Sequence, residues 1–118
     1  MTVYGIPNCD TVQKAIKWFK ANNVAFEFHD FKKEGIEYGT LLNWVSQVGI
    51  EKLFNKQSST WKQLDEKVKE DMKAPADLLK LLQEKTSIIK RPVIEDVGFL
   101  FFGFDEAVYK AHFLRQVD

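Results

Sequence analysis

The chain has one cysteine, Cys9, so no internal disulfide can staple it, and a reducing, cytoplasmic compartment is the expectation. It also lacks an excess of either charge. Seventeen Lys and Arg against 17 Asp and Glu leave a net charge of zero, without the basic balance of a nucleic-acid binder. No uninterrupted apolar run approaches the ~20 residues that a membrane-crossing helix needs, and Met1-Thr2-Val3-Tyr4 has no basic, signal-like character. Two histidines and one cysteine make no zinc pattern, and the six glycines are too scattered for a phosphate-cradling loop. His29, beside Asp30, reads as a hydrogen-bonded structural residue, and nothing marks His112 as a base. The expectations are a monomer with no nucleic acid, no membrane, no metal and no bound cofactor. At 118 residues the chain is expected to be a single domain, 1–118.

What is present are short elements of two kinds. Thr2 to Ile6 is β-branched and aromatic, is bounded by Pro7 and Asn8, and reads as a buried strand. From Asp10, the apolar residues Val12, Ala15, Ile16 and Phe19 recur at i, i+3, i+4, i+7, the face of a helix. Asp10 and Gln13 have capping-box spacing, and Asn22-Asn23 suits a left-handed stop. Val24, Phe26 and Phe28 then alternate with polar or small residues as a second strand. Strand, helix, strand in this span predicts a βαβ unit with parallel strands.

The middle reads as helical. Leu41, Leu42, Trp44, Val45 and Val48 mark one helix stopped at Gly49, Asn55 to Thr60 a loop, and Trp61 to Met72 a solvated helical stretch. Pro75 suits a first helical position, with Leu78, Leu81 and Leu82 as a buried stripe. Val93-Ile94-Glu95 and Phe99 to Phe102 read as a hairpin around Asp96-Val97-Gly98. Asp105 reads as the N-cap of a last helix with Ala107, Val108, Ala111 and Leu114 inward. Two parallel strands plus a hairpin make a four-stranded mixed sheet, the plan of an α/β thioredoxin-like (glutaredoxin-type) fold. A helical insertion, about 37–86, separates its β-α-β and β-β-α halves.

Cys9 falls where the first strand meets the first helix. The first free N–H groups and the positive end of the helix dipole favour a thiolate there, which is the setting of a nucleophile. A lone free cysteine is also a common small apolar core residue. The local pattern leaves both readings open.

Tyr4-Gly5-Ile6-Pro7-Asn8-Cys9-Asp10-Thr11 with Lys14-Ala15 begins a longer series of motifs. It continues through Phe28-His29-Asp30-Phe31-Lys32, Gly35-Ile36, Asn55-Lys56, Thr60-Trp61 and Ile89-Lys90-Arg91-Pro92-Val93. Together these resemble the arsenate reductase (ArsC) family, and within it the YffB-like branch, to which the Spx transcriptional regulators are related. The resemblance implies Cys9 as catalytic nucleophile and Arg91, Asn8, Thr11 and Lys56 as substrate-binding residues. It implies Pro92 in cis at the start of the third strand, with Arg91 projecting towards Cys9. It further implies a thiol-dependent reductase acting on a small oxyanion or a disulfide. With no second cysteine, the adduct on Cys9 must be resolved from outside, by glutathione as co-substrate and with glutaredoxin as a further partner.

The chain also departs from the family. Arsenate reductases of this type place small, polar and basic residues after the cysteine and gather three arginines around the oxyanion. Here Asp10-Thr11-Val12-Gln13 follows Cys9, and only Arg91 is kept. Lys56 (with Lys62 nearby) stands at the second arginine position and Phe104-Asp105 at the third. Lysine is a point charge and does not reproduce a bidentate fork, so weak or absent arsenate reduction is expected. The Cys-x-x-Cys switch typical of Spx is excluded by Val12. A non-catalytic Spx-like regulatory module that binds protein is the alternative.

Overall fold

The computed structural model describes residues 1–66, 69 and 75–114, which divide into two compact units, Met1–Asp30 with the segment from Arg91, and Phe31–Lys90. The first unit holds strand β1 (Thr2–Gly5), helix α1 (Asp10–Ala21) and β2 (Glu27–Asp30), and, after the second unit, β3 (Val93–Asp96), β4 (Phe99–Phe102) and the last described helix (Glu106–Phe113). The sheet order is β2-β1-β3-β4. β1 pairs with β2 in parallel and with β3 antiparallel, and β3 pairs antiparallel with β4, so the sheet is the mixed four-stranded one expected.

Register explains the core. Val3 lies opposite Phe28 on one side and Ile94 on the other, and Ile94 lies opposite Phe101. Since side chains alternate faces along a strand, these four share one face of the sheet. Val3 and Ile94 are fully buried there with Ala15 and Phe19 of α1 and Tyr109 of the last helix. Phe19 and Tyr109 stack at 5.1 Å between centroids. The Tyr109 hydroxyl donates to the Gly103 carbonyl, so the polar tip of this buried ring is satisfied.

The β-α-β crossover forms as patterned, with two corrections of detail. The Val24–Phe28 alternation is visible as exposed and half-buried residues, but ladder pairing starts only at Glu27. Helix α1 ends at Asn22, whose side chain donates to the Trp18 carbonyl, and Asn23 takes the left-handed conformation (φ 57°). Its start differs from the expected capping box. Asp10 is already helical, Cys9 is the N-cap, and the Gln13 side chain turns away to the Pro7 carbonyl.

Gly98 (φ 68°) turns the hairpin between β3 and β4. Asp105 caps the last helix, accepting from the Val108 N–H at 3.1 Å. The inward face of that helix is not the one expected. Ala107, Ala111 and Leu114 are exposed and Val108 is half-buried, whereas Tyr109 is buried with His112 and Phe113 half-buried beside it. An aromatic-lined sheet face selects the aromatic stripe of the helix over its small aliphatic one.

The second unit is helical: α2 (Phe31–Glu34), α3 (Tyr38–Val48), a 3₁₀ turn (Ile50–Lys52), α4 (Ser59–Lys62), α5 (Pro75–Glu84) and a 3₁₀ turn (Thr86–Ile88). Helix α3 packs against α5. It ends at Gly49 (φ 85°), a conformation that favours glycine. Leu41 and Trp44 are buried, but Leu42 is exposed. On α5 the buried residues are Leu79, Leu81 and Leu82, so Leu79 takes the place expected for Leu78, which is half-buried. The loop after Asn55 is shorter than expected, because Ser58 caps α4 through the Trp61 N–H. Part of the expected Trp61–Met72 helix, residues 67, 68 and 70–72, lies outside the described residues. Among the described residues no helix is long and apolar enough to cross a membrane.

Candidate active site

The first unit assembles its chemistry where β1 runs into α1. Gly5 ends β1 under Val12, and a Cβ on Gly5 would meet Val12 Cγ2 at 2.8 Å. Glycine therefore lets the helix start close to the strand end. Between them, Ile6 to Cys9 forms a turn in which the Cys9 N–H donates to the Ile6 carbonyl at 3.3 Å, and Pro7 and Asn8 are exposed.

Cys9 occupies the N-cap with extended backbone (φ −104°, ψ 125°) and is half-buried. An N-cap side chain ordinarily accepts from the second or third helical N–H. Counting from Asp10, those are Thr11 and Val12. The sulfur does not close a regular cap hydrogen bond, yet both N–H groups face it closely enough to favour its charged form.

The other wall comes from far along the sequence. The Arg91–Pro92 peptide is cis, as expected, and Pro92 is buried at the head of β3. The Pro92 carbonyl accepts from the Gly103 N–H at 2.7 Å. Arg91 is half-buried with its Nε shielded from water, and its guanidinium faces the Cys9 sulfur closely enough to favour the thiolate.

The balance of these effects lowers the Cys9 pKa. Partial burial is the largest single influence and pushes it up. It is outweighed by the Val12 N–H, the Arg91 guanidinium donors, the Thr11 N–H and the Arg91 charge together. A lowered thiol pKa at an accessible helix start is the mark of a reactive cysteine, whereas purely apolar burial raises the pKa.

Of the residues singled out in the sequence, Cys9, Asn8, Thr11, Arg91 and Pro92 all belong to this corner of the first unit. Lys56 belongs to the second unit and is described there. Its Nζ lies 5.5 Å from the centre of the Phe54 ring. It lines an open cleft of about 370 Å³ with Glu51, Lys52, Phe54, Asn55 and Lys90. Phe104 and Asp105, at the third arginine position, serve the fold: Phe104 packs edge-on to Tyr109 at 5.2 Å and Asp105 caps the last helix.

Two residues contribute to the site in ways that the sequence pattern does not indicate, the Gln13 side chain and Gly5. Capping-box spacing pairs Gln13 with Asp10; with the N-cap one residue earlier, at Cys9, the Gln13 side chain is free to reach the Pro7 carbonyl. For Gly5 no local signal exists, because its role depends on how closely α1 approaches.

The ArsC family model matches residues 4–112, nearly the whole chain. An uncharacterized protein of Haemophilus influenzae is 42% identical over 113 residues, covering 96% of this chain and 98% of that protein. The solved structure of a protein called YffB superimposes with a TM-score of 0.88 at 37% identity, covering 93% of this chain and 96% of the other. The global transcriptional regulator Spx of Streptococcus mutans is 26% identical over 118 residues, covering 98% of this chain and 85% of Spx.

Proposed function

The chain belongs to the ArsC family, and on that premise we propose that it is a thiol-dependent oxidoreductase with Cys9 as its single nucleophile and glutathione as co-substrate. The observation that carries this reading is the Cys9 sulfur held between the start of α1 and the Arg91 guanidinium, with its pKa lowered.

On a glutathione mixed disulfide, the Cys9 thiolate attacks the glutathione sulfur. A Cys9–glutathione disulfide forms and the other thiol departs as its thiolate. A second glutathione thiolate then attacks the glutathione sulfur of that adduct, releasing oxidised glutathione and regenerating the Cys9 thiolate. Glutaredoxin can serve as the outside thiol in this second step. Arg91 pairs with a glutathione carboxylate or with the departing thiolate, and its planar fork suits the former. The Thr11 and Val12 N–H groups stabilise negative charge on the Cys9 sulfur whenever it is the leaving group, and Asn8 contributes polar contacts at the exposed turn.

Arsenate is a poor fit. Asp10 sets a negative charge beside any incoming anion, Lys56 offers no fork, and the third arginine position is committed to the core and to a helix cap. A glutathione-rich, reducing compartment such as the cytoplasm suits the cycle.

The test is incubation with oxidised glutathione followed by mass spectrometry of Cys9, and turnover of a small glutathione mixed disulfide with glutathione present. A Cys9 adduct and turnover abolished by Cys9→Ser are expected, with arsenate turnover weak or absent. No adduct on an accessible Cys9 would end the reading.

The similarity to Spx along 98% of the chain supports a second reading, a non-catalytic module that docks on another protein. It predicts function that survives Cys9→Ser.

A further inference from the structure

The turn that carries Cys9 is anchored by buried Ile6, but its two central residues, Pro7 and Asn8, are exposed, so packing does not hold those two. Its own closing bond, from the Cys9 N–H to the Ile6 carbonyl, is long at 3.3 Å. Proline fixes φ at Pro7 but leaves its ψ and the φ of Asn8 able to rotate. A rotation there would carry Cys9 away from the start of α1.

Gln13 is bonded on both sides of that freedom. Its backbone N–H donates to the Cys9 carbonyl at 2.9 Å. Its side-chain Nε2 donates to the Pro7 carbonyl at 2.6 Å. Because the acceptor is a carbonyl, only the NH₂ end of the amide can make this contact. One residue of α1 therefore grips the turn both before and at the nucleophile.

We propose that Gln13 is the positioning residue of the nucleophile turn: its side-chain amide clamps the Pro7 carbonyl and so fixes the Cys9 sulfur against the start of α1. The inference rests on Cys9 being the reactive thiol, and it adds the residue that keeps it aligned. Gln13 touches neither the sulfur nor a substrate. It acts by holding the sulfur where the Thr11 and Val12 N–H groups and Arg91 reach it. An unclamped turn spends part of its time with the thiol away from those groups, and the mean environment drifts towards that of a free cysteine.

The experiment compares the whole protein with Gln13→Met, which keeps side-chain length without the donor, and with Gln13→Glu, which turns a carboxylate on the Pro7 carbonyl. Iodoacetamide alkylation of Cys9 is followed from pH 5 to 10, and amide exchange of Asn8 and Cys9 by NMR. Both variants should raise the apparent Cys9 pKa by about half to one unit, so that alkylation below the pKa slows roughly three- to tenfold. The limiting rate of the full thiolate should stay near wild type, and exchange at Asn8 and Cys9 should quicken. A residue that served only helix stability would shift the melting temperature and leave the pH profile in place. Superimposable profiles and exchange rates in wild type and Gln13→Met overturn the clamp while leaving the thiol reading intact. An ordinary thiol pKa and no glutathione adduct in the wild type overturn both.

Discussion

The Cys9 sulfur meets opposing influences, and their sum decides what it can do. Burial alone would protonate it; the helix-start N–H groups and Arg91 reverse that. Arg91→Ala removes both the guanidinium donors and their charge, so the Cys9 pKa should rise by about one unit, a tenfold smaller thiolate fraction below the pKa. Arg91→Lys should recover part of that shift through charge, but little of any fork-like recognition of a carboxylate. A pH series of alkylation reads both variants, and unchanged profiles would remove Arg91 from the site. The lowered pKa also links to stability. The folded state binds the Cys9 proton less tightly than the unfolded chain. The resulting stabilisation is complete above the free-thiol pKa of about 8.5 and is lost as pH falls through the lowered folded value. In Cys9→Ser, denaturation midpoints should lose that component of their pH dependence.

At the level of elements, two contacts set how α1 and the last helix meet the sheet. Gly5→Ala places a methyl 2.8 Å from Val12, a stiff β-branched residue, so the start of α1 must move outward. Overpacking of this kind costs about 1–3 kcal/mol. Because the Val12 N–H is also the largest of the influences that lower the Cys9 pKa, the thiol pKa should rise as well. Urea denaturation together with the alkylation profile checks this, and a stability loss with no change at Cys9 would separate the two.

The last helix is tied to the hairpin by His112, whose Nε2 lies 3.0 Å from Asp96 Oδ2 and whose ring stacks on Phe99 at 4.0 Å. The His112 hydrogen bond is the main cause holding the Asp96 carboxyl below its usual range, helped by the Val97 N–H against partial burial. His112→Phe keeps the stack and loses the bond, so the Asp96 pKa should climb back towards about 3.9 in an NMR titration. An unmoved value would assign the shift to Val97 and the N-terminal charge. This helix also shows where pattern reading fails. Its N-cap at Asp105 was legible, because capping is local. Its buried face was not, because Ala107-Val108-Ala111 and Tyr109-His112-Phe113 both have helical spacing. The aromatic face of the sheet, built from strands distant in sequence, decides between them.

For the molecule as a whole, the site depends on a long-range pairing. The β-α-β start and the hairpin are each readable from their own residues, since alternation and turn chemistry are local. That β1 lies between β2 and β3, which brings Arg91 to Cys9, follows from no local pattern; it entered through the family resemblance and stands in the register of Val3 with Ile94. The N-cap at Cys9 is hidden in the sequence for the opposite reason, because Asp10 and Gln13 satisfy a local rule that the strand-to-helix geometry overrides. This division makes a last prediction. Ile94 is fully buried at the centre of the sheet, and Ile94→Ala should cost about 2–5 kcal/mol. Its side chain packs in the cluster of Val3, Ala15, Phe19 and Tyr109, so the molecules that remain folded should keep the wild-type Cys9 pKa. Arg91→Ala should do the reverse, with stability nearly intact and the thiol altered. Measuring urea midpoints and alkylation profiles for the two variants side by side separates the frame from the chemistry it carries. If Ile94→Ala shifts the thiol as far as Arg91→Ala does, the site is not a preorganised corner but a property of the whole sheet.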